Sequence, residues 1–138
     1  MAYRDINKKR AYYRAWSLNH RELLKTYRDK WRITHEKEIK AYGVKRNKRL
    51  KHDCLMAYGG AFCVCCGEKN EMFLTLDHKN NDGAAHRRQI AKLAGYAFYS
   101  YLRVQKFPQT LGLQVCCYNC NCGKNANGGL CPHKGDWA

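Results

Sequence analysis

Asp77 and His78 close a short apolar run in the stretch FLTLDHKNNDG, Phe73 to Gly83. A carboxylate is a hard oxygen ligand and an imidazole titrates near neutrality, so the pair is the minimum kit for metal-assisted phosphodiester hydrolysis. Asp-His dipeptides are common and most are structural. This one is bracketed by cysteines, FCVCCGE before it and VCCYNCNCGK after it. In the first cluster Cys63 and Cys66 have the C-x2-C spacing that lets two thiolates of one tight turn grip a tetrahedral ion. Gly67 is free to adopt that turn's positive φ. In the second cluster Cys117 and Cys120 have the same spacing, and two such pairs predict one four-cysteine structural zinc site. Cys54, Cys65, Cys116, Cys122 and Cys131 read mostly as small buried hydrophobes. A second zinc site from Cys122, Cys131 and His133 is the alternative, weakened by ligands that crowd together without a clear fourth.

Several elements must position these groups. Phe73 to Asp77 reads as a strand, Lys79 to Gly83 as a loop, and Ala84 to Arg103 as one or two helices interrupted near Gly95. Leu111 to Val115 reads as a second strand, and a helix starting at Asn119 carries Asn121 in its first turn. Tyr58-Gly59-Gly60 separates all this from an N-terminal region with a 15-residue repeat, in which Tyr12, Trp16 and His20 recur as Tyr27, Trp31 and His35. The repeat, spanning residues 3–51, predicts two or three helices broken near Asn19 and Thr34. Asn19 with Glu22 resembles a capping box, and Thr34 is placed to cap a helix whose first turn holds Glu36 and Glu38. Leu23, Tyr27 and Trp31 share one helix face, and that spacing favours helix packing over base stacking.

The 138 residues carry a formal net charge of +15, very unevenly placed. Residues 1–51 hold 17 Lys and Arg against 5 Asp and Glu, whereas 52–138 hold 9 against 6. A basic segment interleaved with Tyr and Trp suits a polyanion whose phosphates take the cations. Plain solubility is the bland alternative, but acidic residues would serve it equally well. A membrane surface is a weaker third reading, since neither a lipidation motif nor a strongly apolar face accompanies the charge. The candidate phosphate contacts are Arg14, Arg21, Arg28 and Arg32, the run Lys45, Arg46, Lys48, Arg49 and Lys51, and Arg87 and Arg88. No apolar run approaches the ~20 residues that span a bilayer, and MAYRDINKKR lacks the apolar core of a secretory signal. The expectation is an intracellular protein of the cytoplasm or nucleoid, not secreted, whose reduced thiols point to metal more than to disulfides.

In order, the motifs are C-x2-C-G at Cys63 to Gly67, L-D-H and N-D-G at Leu76 to Gly83, His86-Arg87, Phe107-Pro108, LQVCCYNCN at Leu113 to Asn121, and C-P-H at 131–133. Over roughly residues 58–133 this order resembles the HNH, or His-Me finger, endonucleases. It is most similar to phage and mobile-element members with four-cysteine zinc knuckles and to the recombination endonuclease VII group. The resemblance implies an α+β fold, a small ββα-metal core with zinc knuckles over 58–138, preceded by a basic helical nucleic-acid-binding arm over 1–57. It implies a metal-dependent endonuclease acting on double-stranded or branched DNA, with RNA as a further candidate, as monomer or homodimer. His78 would be the general base, Asp77 and Asn121 would hold one Mg²⁺ or Mn²⁺, and His86 would contact the scissile phosphate or assist as a second histidine. For His86 a plain helix-surface histidine is the competing reading. Asn119 and Asn125 compete with Asn121, which directly follows the second zinc-binding cysteine as the family's asparagine does. Two departures stand out: Asn80 occupies a position often held by a second histidine, and about forty residues separate His78 from Asn121. The rival from another class is a non-catalytic zinc-binding nucleic-acid module.

Overall fold

A computed structural model describes residues 5–90 and 92–135. The first two positions of the repeat, Ala91 within the expected helical stretch, and the outer ends of both expected domains lie outside the described residues. The chain divides into two compact units, Met1–Val44 and Lys45–Ala138.

The first unit is built from α1 (Ile6–Asn19), α2 (Arg21–Thr34) and the start of α3 (Glu36–Ala57). Asp5 caps α1, its carboxylate accepting from the backbone N–H of Asn7 and Lys8. The helices break where the repeat predicts, but the residues that make the breaks are its histidines. His20 donates from Nδ1 to Trp16 O at 2.8 Å and stacks on the Trp16 ring at 4.3 Å between centroids. His35 repeats this on Trp31, at 2.9 Å and 4.5 Å. Each imidazole thus adds a second hydrogen bond to a last-turn carbonyl that already accepts from its own backbone N–H, His20 N on Trp16 O and His35 N on Trp31 O, both at 3.0 Å. The expected caps do not form. His20 occupies the N-cap of α2 with no side-chain cap bond, and Thr34 Oγ1 donates backwards to Lys30 O and Trp31 O. That back-bonding is the usual recourse of a threonine in a final turn. The aromatic stripe does not build a core here either, since Leu23, Tyr27 and Trp31 are all exposed and α1 and α2 bury no described residue.

The second unit takes the C-terminal half of α3, so the basic run Lys45 to Lys51 lies in a helix. Leu50, Cys54 and Leu55 from that half are fully buried with Leu74, Leu102 and Val115. Gly59 and Gly60 end the helix with φ of 125° and 104°. A 3-10 turn, Glu71–Phe73, leads into β1 (Leu74–His78), which pairs antiparallel with β2 (Leu113–Cys117). The register sets Asp77 opposite Gln114 and Leu76 opposite Val115. Between the strands run α4 (Gly83–Gln89) and α5 (Gly95–Val104), and α6 (Tyr118–Ala126) follows β2 without a loop. The architecture is mixed helix with a small two-stranded sheet, as an α+β class requires. No described helix is long and apolar enough to cross a membrane.

Candidate functional site

The cysteine pairs meet at one end of the sheet. After α3 the chain turns so that Cys63 N donates to Glu68 O at 2.8 Å and Gly67 N to Cys63 O at 3.0 Å, with Gly67 at φ 80°. Val64 N donates to Val115 O and ties this turn to β2. Cys117 ends β2 and caps α6, its Sγ accepting from Cys120 N at 3.4 Å. The Sγ atoms of Cys63, Cys66, Cys117 and Cys120 all lie within 4.8 Å of one another, and Cys66 Sγ is 3.6 Å from Cys117 Sγ. Around a tetrahedral zinc with Zn–S near 2.3 Å, sulfurs stand about 3.8 Å apart, so the cluster can hold a zinc ion. Burial pushes the Cys63 thiol up, but the backbone N–H groups of Cys66, Cys117 and Cys65 outweigh it and bring the thiol down to about 6. Cys120 is pushed strongly up, first by burial and then by its thiol neighbours. A bound metal would offset the repulsion between thiolates packed this closely.

A second group lies against the first. Cys65, Cys120, Cys131 and His133 also present ligand atoms within 4.8 Å of one another. His133 Nδ1 is 3.4 Å from Cys120 Sγ and 3.5 Å from Cys131 Sγ. Cys65 and Cys131 are thus not inert filler, while the exposed Cys122 stands outside both groups. Cys54 and Cys116 do behave as buried hydrophobes. Burial pushes their thiols up to about 11 and about 12, with Asp77 adding to the effect on Cys116.

The Asp77–His78 pair is split by the strand itself, because successive side chains on β1 point to opposite faces. Asp77 turns toward α6. Its Oδ2 accepts from Lys124 Nζ at 2.7 Å and from Gln114 Nε2, its cross-strand partner, at 2.8 Å. Lys124, itself buried, also donates to His78 O at 2.7 Å and Lys79 O at 3.2 Å. His78 turns toward α4, with Nε2 2.9 Å from His86 Nδ1 and its ring near that of Phe98. His86 is buried, so the surface-histidine reading does not hold. Burial lowers the His78 pKa, and His86 and Arg87 lower it further against the opposing pull of Asp82 and Asp77.

Asp77, His78 and Asn121 line a common cleft of about 570 Å³, with the cations Lys51, Arg87 and Lys124 at its walls. Gly83 is required there: a Cβ at that position would sit 2.9 Å from His78 Nδ1. Asn121, the fourth residue of α6, makes no side-chain hydrogen bond among the described residues, and Asn125 shares the cleft wall. Asn119 and Arg88 are not among the lining residues. In the first unit, Arg14, Arg21 and Arg28 line one groove, of about 510 Å³, with Leu18 and Leu24. Arg32, Lys45, Arg46, Lys48 and Arg49 lie outside both concavities.

No protein-family model, curated protein or solved structure matches the chain. The functional reading therefore rests on the residues.

Lys124 is the site residue that sequence reasoning missed. Nothing in a lone lysine near the chain's end signals that it closes onto an aspartate 47 positions earlier. Cys65 left a faint signal, since FCVCCGE holds one cysteine more than a C-x2-C pair needs.

Proposed function

We propose that the chain is a metal-dependent DNA endonuclease of the HNH type, with a ββα-metal core formed by β1, β2 and α6. The observation that carries the reading is His78, a lowered-pKa histidine in a cation-lined cleft, paired with an orienting histidine. A catalytic base needs a free lone pair and a group that fixes its tautomer. If His78 Nε2–H donates to His86 Nδ1, the His78 Nδ1 lone pair is left to accept a proton from water, on the side of Gly83, where a Cβ would crowd it at 2.9 Å. The lowered pKa keeps His78 neutral near pH 7, the form a base requires. Lys51 and Arg87 are positioned to bind the phosphate and balance charge that grows on it during hydrolysis.

Asp77 and Asn121 would hold the divalent ion. The oxygen-rich donor set suits Mg²⁺ or Mn²⁺, while the thiolates suit zinc, so ligand type would sort two metals. Bound there, the ion would neutralise the phosphate and the leaving oxygen. The donors fit on one condition: Lys124 already takes Asp77 Oδ2, so its ammonium must swing aside or share the carboxylate. That ion pair favours a second reading, a non-catalytic zinc-binding nucleic-acid module in which Lys124 permanently stands where a metal would.

Conversion of supercoiled plasmid by wild type and His78→Ala, with and without Mg²⁺, separates the two. The endonuclease reading expects metal-dependent nicking by wild type and binding without cleavage by the variant. Equal DNA binding with no cleavage by either protein sinks it in favour of the binding module.

A further inference from the structure

The two ligand groups share Cys120, and from this we infer a two-metal thiolate cluster with the Cys120 sulfur bridging both ions. The first ion takes Cys63, Cys66, Cys117 and Cys120; the second takes Cys65, Cys120, Cys131 and His133. Zinc in a closed structural site is four-coordinate. Two such ions fill their coordination with the seven side chains present when one sulfur serves both, and each other donor serves one ion. The spacings agree with this. A tetrahedral ion with Zn–S near 2.3 Å and Zn–N near 2.0 Å sets sulfur and nitrogen about 3.5 Å apart. His133 Nδ1 stands 3.4 Å from Cys120 Sγ and 3.5 Å from Cys131 Sγ.

The local backbone is shaped to bring the second set in. Cys65 and Cys66 are adjacent in one turn yet belong to different groups, so the turn presents a sulfur to each ion. Cys131 and His133 sit in the 3-10 turn Pro132–Lys134 and its cap, closed by Lys134 N donating to Cys131 O at 2.8 Å. That turn reaches α6 because residue 123 is glycine: a Cβ there would lie 3.0 Å from Pro132 Cδ. Apolar burial along the segment is sparse. Leu130 is 66% exposed, and Cys131 is its one buried described side chain after Lys124. A cation bound through Cys131 and His133 supplies the anchor that apolar packing does not, and it makes Cys120, a fully buried residue, the hinge of the whole arrangement.

The inference is independent of the nuclease reading, and its test reads metal directly. The full chain is produced with zinc, and metal per chain is counted by elemental analysis and native mass spectrometry. Wild type is expected to carry about two zinc ions, falling to about one in His133→Ala and Cys65→Ser with the helical circular dichroism retained. Should those variants fail to fold, the wild-type chain still decides. Loaded with cobalt(II), a thiolate-bridged pair couples its spins, so the electron paramagnetic resonance signal seen at one equivalent should collapse at two. One zinc per wild-type chain overturns the second site. Two cobalt ions whose signals simply add overturn the bridge.

Discussion

Replacing Lys124 by methionine is the perturbation that exposes most about the cleft. The ion pair with Asp77 is 2.7 Å long, and the two side chains are only 9% and 10% exposed. Methionine keeps the apolar stem and removes the charge, leaving a carboxylate that burial has stripped of water and that only Gln114 and a distant thiol still contact. Breaking one side of a buried pair costs about 3–5 kcal/mol, and loss of the ammonium's bond to the Lys79 carbonyl adds about 1 kcal/mol, whereas the His78 carbonyl keeps the backbone N–H of Asn81. The assay is urea unfolding followed by far-ultraviolet circular dichroism at fixed zinc, with the double variant Asp77→Asn/Lys124→Met completing the cycle. The double variant should recover much of the loss, because it no longer buries an unpaired charge. Magnesium adds a second readout. With Asp77 free of its lysine, ~10 mM Mg²⁺ binding at Kd ~1 mM stabilises the single variant by about 1.4 kcal/mol through mass action, and the double variant by far less. A loss below about 1 kcal/mol for Lys124→Met would refute the buried-pair reasoning. Indifference of that variant to magnesium would count against Asp77 as a metal ligand.

Acidity gives a separate handle on His78, whose folded pKa is lowered chiefly by burial. The rising limb of the cleavage rate should have its midpoint below the ordinary histidine value of about 6.5. Its stability contribution is fully present above that value and is lost as pH falls through the folded pKa, because the unfolded chain takes up a proton that the folded site resists. The urea midpoint of wild type should therefore drop more steeply on acidification than that of His78→Gln, and the reverse order would contradict the shift. In the basic region, Arg14→Ala/Arg21→Ala/Arg28→Ala should flatten the salt dependence of duplex binding, measured by fluorescence anisotropy. At ~0.9 per phosphate contact the log–log slope would fall by up to about 2.7. An unchanged slope would remove that groove from the DNA-contacting surface.

The parts legible in the sequence are those set by short-range geometry. The two C-x2-C pairs, the strands around Leu74 and Val115, and the helix breaks near Asn19 and Thr34 each follow from spacing within a few residues. What escaped depends on distant segments meeting. Cys131 and His133 were readable as a possible second site, but Cys65 and Cys120 join them in place of Cys122 only in the fold, where the Pro132 turn packs on α6 at Gly123, and Lys124 meets Asp77 only once β1 and α6 are packed. The helix breaks fall where expected, but their capping residues were misjudged for a related reason. Asn19 and Thr34 have better capping propensity than histidine, yet a tryptophan one turn earlier offers the imidazole both a carbonyl and a ring to stack on. The same blindness applies to the Asp-His pair, whose two side chains line one cleft but take separate partners, Lys124 and His86.

The helix α6 is nine residues long, too short to hold its shape in water unaided. Cys117 at its cap, Cys120, Asn121 and Lys124 fall three or four positions apart along one side, so thiolate ligands, amide and ammonium ride on a single rigid piece. Loading metal at one end and assembling the cleft at the other are then one equilibrium. A newly made chain without zinc would lack Asn121 and Lys124 in their places, and a chain whose thiols were oxidised would lose them again. On the endonuclease reading proposed above, such a protein would be dormant until metallated and disarmed by oxidative stress, its activity tracking zinc supply instead of its own abundance.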